Sequence, residues 1–378
     1  MTQASFNFDA PPLPAVEAPS EAPPLAAPVV AVAPEALAAT APAPEALEPV
    51  CEAQRPAGVN PLEDPPEDPP EVAVDYEALA RALEQHPDFR VLRRLVPLMD
   101  FGPRPGALAG AAGVQRVLVL DTETTGLQHR SDKIIELAML LVQVDTATGL
   151  PFGPVEIFEG FEDPGMPIPE VAQQVTGIRD DMVKGQRLDD AQVAALVARA
   201  DLVIAHNAGF DRPFVEARFP GFADKAWACS FADIDWKATG AGSSKLSALA
   251  QDHGWFYDAH RAQVDCHALL QVLTRPVGSG ARTGLALLLD AATAPSFKLR
   301  ATGSPFESKD LLKERGYRWD AEARVWACTL PTPERLEAEL VWLKSEVYGR
   351  RSARLEIEAM DSRVRYSSRP GVMSERPV

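Results

Sequence analysis

The chain has 378 residues, and its 54 acidic side chains outnumber its 37 basic ones, which gives a formal net charge of -17. A chain of this length has room for roughly two domains of about 150 residues and a tail. Its acidity excludes a protein that coats nucleic acid through an overall positive field.

The N-terminal segment, residues 1–75, is rich in proline, alanine and glutamate. It holds 17 of the 35 prolines and 13 acids against the single base Arg55, so it carries -12 of the net charge. Such a composition buries too little apolar surface to offset the entropy of ordering, and prolines interrupt helices and sheet ladders. We therefore predict a disordered, extended tail.

Residues 76–113 predict a helical collar followed by a linker. Apolar side chains recur at near-helical spacing from Leu79 to Leu95 around His86-Pro87, which favours a short helical hairpin. Residues 102–113 are rich in glycine, alanine and proline, as is typical of a joint between domains.

Residues 114–276 alternate between strand and helix patterns. The predicted strands are 117–120, about 134–144, about 155–161 and 202–205. The predicted helices are about 168–176, 189–200, 211–218, 244–253 and 260–274. Three strands followed by alternating helices and strands indicate an α/β domain with a mixed sheet flanked by helices.

The remaining chain predicts a second linker at 277–296 and a small α+β domain at 297–378. The linker is rich in glycine, alanine and threonine around one apolar run, LALLLD. Beyond it, a strand, a helix, a hairpin near 320–323 and a second helix follow in order, and a basic, strand-like tail ends the chain.

The four cysteines are far apart and form no CxxC pattern or Cys/His cluster; they are Cys51, Cys229, Cys266 and Cys328. This spacing argues against a disulfide framework or a structural zinc site. The sequence contains no run of 18 apolar residues, and the start of the chain lacks the pattern of a secretory signal. We expect a cytoplasmic protein with no membrane partner.

Two acids, Asp121 and Glu123, directly follow the apolar strand 117–120. Alternate residues at the end of a strand point to the same face, so the two carboxylates converge. Paired negative charges at a buried strand end are stabilised by a divalent cation, and hard oxygen ligands suit Mg²⁺ or Mn²⁺. Taken alone, the pair is also compatible with an ordinary strand-to-turn position.

A similar arrangement follows the second buried strand, 202–205. Asp211 stands near the start of a predicted helix in which Pro213 occupies an early, tolerant position. Taken alone, Asp211 is also compatible with the cap of that helix.

The third element is the segment from His260 to Asp265, in front of an apolar helical stretch. Five residues span about one and a half helical turns, so His260 must lie on a loop or in the first turn to share a site with Asp265. A solvated Asp265 and a structural His260 are the alternatives.

Together these motifs resemble the DEDDh (DnaQ-like) 3'-5' exonuclease superfamily, which includes the epsilon proofreading subunit of bacterial DNA polymerase III. The resemblance rests on LVLDTETTGL at 118–127, VIAHNAGFDRPFVE at 203–216 and HRAQVDCHAL at 260–269. It covers about 160 residues and implies an RNase H-like sheet. The tail, the collar and the C-terminal segment lie outside it.

The resemblance also implies a role for each site residue. Asp121, Glu123 and Asp265 would bind one Mg²⁺ or Mn²⁺, and Asp121 would bridge to a second ion. Asp211 would hold that second ion through water, and His260 would be the general base. Small groups would let the terminal nucleotide approach closely; they are Thr122, Thr124, Thr125, Ala208 and Gly209.

The sequence therefore predicts an exonuclease that removes nucleotides from single-stranded or frayed DNA 3' ends in proofreading, repair or end trimming. An exoribonuclease and a catalytically idle scaffold are the alternatives. A DNA polymerase or a sliding clamp is a candidate protein partner. Gln3, Phe6 and Phe8 loosely resemble the clamp-binding peptides of bacterial replication proteins, and a chance pair of phenylalanines in a spacer tail is the alternative.

Overall fold

The computed structural model describes residues 74–105 and 113–378. The predicted tail lies outside them except for its last two residues, and so does the peptide with Gln3, Phe6 and Phe8. In this described part of the chain, no helix has both the length and the apolar character that a membrane span needs.

The first described element is helix α1, Tyr76–Glu84, which is capped by the Asp75 side chain. The predicted helical hairpin does not form, because the chain becomes extended after His86-Pro87, where a residue that precedes proline disfavours helix. It continues instead into strand β1, Arg93–Arg94, which pairs in parallel with strand β7, Trp255–Phe256.

The central sheet has five strands in the order β4-β3-β2-β5-β6. They are β2 (Val114–Thr124), β3 (Ile134–Asp145), β4 (Leu150–Phe161), β5 (Leu202–Ala205) and β6 (Ala226–Cys229). The first three are antiparallel neighbours, whereas β5 runs parallel to β2 and β6 runs parallel to β5. The predicted mixed sheet is confirmed, with β6 as an edge strand that the sequence analysis did not identify.

Helices cover both faces of this sheet. They are α2 (Glu170–Thr176), α3 (Asp180–Val183), α4 (Asp190–Arg199), α5 (Ala208–Arg218), α6 (Leu246–Asp252) and α7 (Ala262–Leu273). Val117 and Val119 of β2 pack in the core that contains residues of α6 and α7. Leu118 and Leu120 pack in the core that contains residues of α4 and α5. Alternate residues of β2 therefore point to opposite faces of the sheet and contribute to both cores.

The segment predicted as a second linker instead contains helix α8, Gly284–Thr293. Leu285 and Leu288 are fully buried in the same core as α7. Glycines permit the close approach: a Cβ at Gly149 would lie 2.4 Å from the Ala286 Cβ. The linker prediction for 277–296 is therefore wrong, because small residues here serve packing rather than flexibility. The domain boundaries at 276 and 297 stay a prediction.

The C-terminal residues form a second five-stranded sheet with helices, as predicted for a small α+β domain. Its strands are β8 (Ser296–Arg300), β9 (Arg318–Asp320), β10 (Val325–Leu330), β11 (Arg354–Met360) and β12 (Val372–Pro377). Its α-helices are α9 (Lys309–Glu314) and α10 (Pro333–Trp342). The strand order is β12-β11-β8-β10-β9, so the predicted basic tail, residues 349–369, supplies strand β11 of the sheet.

We expect Leu288→Ala to lower the free energy of unfolding by about 2 to 5 kcal/mol, because it opens a cavity in the core beneath α8. The matched control is Leu79→Ala on α1, where the side chain is 54% exposed and little burial is lost. Urea denaturation of both variants measures the difference. Equal effects would contradict the packing assigned to α8.

Candidate active site

Strand β2 carries the first two acids of the site. Residues 117–120 are fully buried, and the strand continues through Asp121 and Glu123, which lie on one face because alternate residues share a face. Asp121 is half-buried and Glu123 is buried. Strand β2 therefore presents two carboxylates at its carboxyl end.

Helix α7 brings Asp265 to the same place. One carboxylate oxygen of Asp265 accepts hydrogen bonds from the backbone N–H groups of His260, at 2.8 Å, and Arg261, at 3.2 Å. Carboxylate oxygens of Asp121, Glu123 and Asp265 all lie within 4.8 Å of one another. Three hard oxygen donors at this spacing fit a divalent cation such as Mg²⁺ or Mn²⁺.

Asp211 reaches this cluster from α5 and is only 2% exposed. Its Oδ1 accepts hydrogen bonds from the Thr122 N–H at 3.1 Å and the Thr122 hydroxyl at 2.8 Å. The cap position of α5 belongs to Asn207, which has a left-handed φ of 72°. Asp211 is therefore not the helix cap, and its carboxylate is fixed beside the two acids of β2.

Burial and mutual repulsion shift the acids toward their neutral forms. Burial, reinforced by Asp265, Glu136 and Asp211, raises the pKa of Glu123 to about 8. Burial also raises the pKa of Asp211 to about 7, against the opposing effect of the hydrogen bonds from Thr122.

The other two acids shift in the same direction. Burial, followed by the charges of Asp211 and Asp265, raises the pKa of Asp121 well above its usual range. Burial raises the pKa of Asp265, although the His260 N–H opposes it. The site therefore needs positive charge to keep all four carboxylates ionised at neutral pH.

The loop that bears His260 is anchored from beneath by Glu136 of β3. His260 is exposed and has a left-handed φ of 68°. The fully buried Glu136 carboxylate lies 2.9 Å from Arg261 Nη2 and accepts a 3.0 Å hydrogen bond from the Ala262 N–H. Glu136 thus fixes the start of α7 immediately after His260. A charged residue in the otherwise apolar run 134–142 was the available sequence signal for this role.

A cleft of about 810 Å³ opens over the acids. It is lined by Asp121, Glu123, Asp211, His260 and Asp265, so the structure brings together all five predicted catalytic residues. A cavity of this size is typical of a site for a small organic group.

The predicted substrate-binding residues divide into two groups. Thr122, Thr124 and Thr125 line the cleft. At α5, the cleft is lined by Asn207 and Phe210, whereas Ala208 is fully buried and its N–H lies 3.3 Å from Cys229 Sγ. Gly209 is exposed and, like Ala208, does not line the cleft.

The cleft also has apolar wall residues that the sequence analysis missed. Leu127 is 78% exposed, and Val171, Val175 and Phe231 are also exposed. Exposure on a cleft wall depends on tertiary structure, so periodicity gave no signal for these residues.

Tyr257 is a further cleft residue that the sequence did not indicate. Burial, reinforced by the charge of Asp265, raises the pKa of its hydroxyl group. The hydroxyl therefore stays protonated, and it forms a hydrogen bond with Asp265 that favours the ionised carboxylate. This contact ties the wall of the cleft to the acid on α7.

Comparison with known proteins places the exonuclease motifs in one family. The exonuclease family model named RNase T matches residues 118–273. PolC-type DNA polymerase III of Listeria innocua is 38% identical over 105 residues, and that of Halalkalibacterium halodurans is 39% identical over 105 residues. Each match covers 27% of this chain and only 7% of the relative.

Two solved exonuclease structures also match part of this chain. Exonuclease X in complex with 5'-overhanging duplex DNA is 24% identical, with a TM-score of 0.34, and the match covers 42% of this chain and 89% of that one. A second structure shows 3'-end specific recognition of a histone mRNA stem-loop by a 3'-exonuclease. It is 16% identical, with a TM-score of 0.35, and the match covers 43% of this chain and 82% of that one.

The family match spans the three motifs on which the predicted resemblance rests, and it contains all four clustered acids and His260. Residues 118–273 therefore match an exonuclease domain model, and the resemblance to the DnaQ-like 3'-5' exonuclease superfamily predicted from the sequence is confirmed for this part of the chain.

Proposed function

We propose that this protein is a metal-dependent 3'-5' exonuclease of the DEDDh type that hydrolyses phosphodiester bonds at DNA 3' ends by a two-metal mechanism. The observation that carries the proposal is the convergence of Asp121, Glu123, Asp211, Asp265 and His260 on one cleft. The PolC-type DNA polymerase III relatives support DNA as the substrate and proofreading, repair or end trimming as the context.

The acids of the cleft supply the ligands for two cations. Asp121, Glu123 and Asp265 would hold one ion, and Asp211 together with Asp121 would hold a second. Bound Mg²⁺ or Mn²⁺ lowers the pKa of water and offsets the negative charge that develops at phosphorus. The oxygen-only donor set and the raised pKa values of these acids support such ions.

His260 is the general base in this proposal. It stands at the mouth of the cleft on a loop fixed by Glu136 and Arg261, so its imidazole can accept the proton of the attacking water. The Asp265 carboxylate holds the His260 backbone N–H and thereby couples the position of the base to that of the acids.

The apolar wall of the cleft suits the bases of a single-stranded end. Leu127, Val171 and Phe231 offer exposed surfaces for contact with bases, which is a sequence-tolerant way to bind single strands. Such contacts need little basic surface, which is consistent with the acidity of the chain. A DNA polymerase or sliding clamp as partner, and a cytoplasmic location, stay predictions.

The direct test is hydrolysis of 5'-labelled DNA and matched RNA oligonucleotides, single-stranded or with a mismatched duplex end, with Mg²⁺ and with EDTA. We expect stepwise shortening of DNA that EDTA abolishes. Faster hydrolysis of RNA would favour the exoribonuclease alternative, and no hydrolysis of either would favour a scaffold.

In that assay, Asp121→Ala, Glu123→Ala and Asp265→Asn should reduce hydrolysis to background with the fold intact, because each change removes a cation ligand and relieves repulsion. The matched control is Asp181→Ala, which removes an exposed acid paired with Arg179. Activity within about tenfold of wild type in any of the three variants would contradict the metal assignment.

The stability of the metal-free protein should fall as pH rises. Glu123 and Asp211 have pKa values of about 8 and about 7 in the folded protein, above the roughly 4 expected in the unfolded chain. The folded state therefore binds more protons than the unfolded state between these values, and its stability decreases from about pH 4 to about pH 8.

Thermal unfolding in EDTA measures this effect. Added Mg²⁺ or Mn²⁺ should raise the melting temperature more at pH 8 than at pH 5.5, because the ions bind ionised carboxylates. Glu123→Gln should flatten the pH dependence in EDTA. A metal-free protein whose melting temperature rises across this range would refute the charge state assigned to the cluster.

His260→Ala should lower kcat by about a hundredfold to ten-thousandfold, the usual weight of general-base catalysis. The metal-induced rise in melting temperature should not change, since His260 is not a cation ligand in this proposal. The control is His86→Ala. The His86 side chain is 54% exposed, and the residue is distant in sequence from His260. Added imidazole should restore part of the lost rate, and a variant with wild-type kcat would remove His260 from the mechanism.

A further inference from the structure

The loop between β11 and β12, residues 361–371, leaves the C-terminal sheet and packs against the exonuclease domain. The backbone N–H of Trp227 in edge strand β6 donates to the Ser362 carbonyl at 2.7 Å. Asp233 accepts a hydrogen bond from the Tyr366 hydroxyl at 2.5 Å and forms a buried ion pair with Arg365 at 3.2 Å. The predicted basic tail is thus partly an internal element of the domain that bears the acids.

The centre of this contact is Arg212, the residue directly after Asp211 in α5. Its side chain is fully buried, and the guanidinium lies over the Trp227 ring at 5.2 Å from the centroid. Its donors are taken by the Glu216 carboxylate and by the carbonyls of Ala223, Ser362, Arg363 and Arg365. Three of these five acceptors belong to the loop.

A second arginine closes the contact from the loop side. Nη2 of Arg369 donates to the Ala223 carbonyl at 2.6 Å and to the Arg363 carbonyl at 2.7 Å, and lies 3.2 Å from Glu216 Oε1. Glu216 therefore joins an arginine of α5 to an arginine of the loop.

A buried guanidinium costs several kcal/mol unless its N–H groups are paired. The carbonyls that satisfy Arg212 are fixed in direction, so they set the rotation of α5 about its axis. Consecutive helical residues point about 100° apart, so Asp211 faces Thr122 and the acids while Arg212 faces the loop. The orientation of one side chain therefore constrains the other.

We propose that residues 361–371 are a positioning element of the active site, which acts through Arg212 to hold Asp211 in place for the second cation. This inference rests on the proposed function, in which Asp211 serves that cation. A loop that only stabilised the fold would also explain the contacts, so the test needs a readout that stability alone does not move.

The experiment compares four variants of the full chain. Arg212→Lys keeps the charge but loses the planar donor set, and Arg369→Gln and Tyr366→Phe weaken the loop without changing α5. The matched control is Arg218→Lys on the same helix, where the side chain pairs with Glu162 and Asp190 and not with the loop.

Three quantities are measured for each variant: Mn²⁺ binding by calorimetry, the Mn²⁺ dependence of oligonucleotide hydrolysis, and the melting temperature. Arg212→Lys should weaken the weaker Mn²⁺ site and raise the half-maximal Mn²⁺ concentration by about tenfold, the usual effect of losing a group that orients a ligand. At a fixed Mn²⁺ concentration, we expect the kcat of Arg212→Lys to fall, whereas its KM for the oligonucleotide should not change. Arg369→Gln and Tyr366→Phe should also raise the half-maximal Mn²⁺ concentration, but by a smaller factor.

Two outcomes would overturn the inference. The first is an Arg212→Lys variant that is less thermally stable but matches Arg218→Lys in Mn²⁺ binding and dependence. The second is wild-type Mn²⁺ behaviour in both loop variants, which would leave the contact between Arg212 and Glu216 as the sole influence. A wild-type chain that binds Mn²⁺ but hydrolyses no oligonucleotide would overturn the proposed function alone, because calorimetry still measures the effect of the loop.

Discussion

Repulsion among four carboxylates, two of them buried and two half-buried, is the constraint around which the exonuclease domain is arranged. Asp121, Glu123, Asp211 and Asp265 come from one strand and two helices, and each has a raised pKa. Because like charges repel each other, the surrounding fold must hold these acids together. The buried sheet provides that hold, because its residues 117–120 pack into cores on both faces.

Two of the four acids, Asp211 and Asp265, are held by neighbouring hydrogen-bond donors. Thr122 fixes Asp211 by two hydrogen bonds, and the backbone of His260 and Arg261 fixes Asp265. Glu136 is a fifth carboxylate nearby, and Arg261 compensates its charge. Hydrogen-bond donors and one guanidinium thus bring negative charges close without neutralising the oxygens that face the cleft.

The main features of the sheet and the acids could be predicted from the sequence because their signals are local. An apolar run followed by Asp121 and Glu123 predicts both the strand and the position of the two carboxylates on one face. The structure differs where the decisive contact is remote in sequence. Helix α8 looked like a linker because its burial depends on α7 and Gly149. The partners of Glu136 and Arg212 lie 125 and up to 153 residues away, which no periodicity reveals.

The separation between Arg212 and its acceptors also constrains how the protein is made. Its hydrogen bond to the Arg365 carbonyl joins positions 153 apart in the chain. Contacts between such distant positions require closure of a long loop and form late in folding. During synthesis, the guanidinium lacks its full set of loop carbonyls until residues 362–365 have left the ribosome. The back of α5 is therefore completed only after residue 365 has been translated.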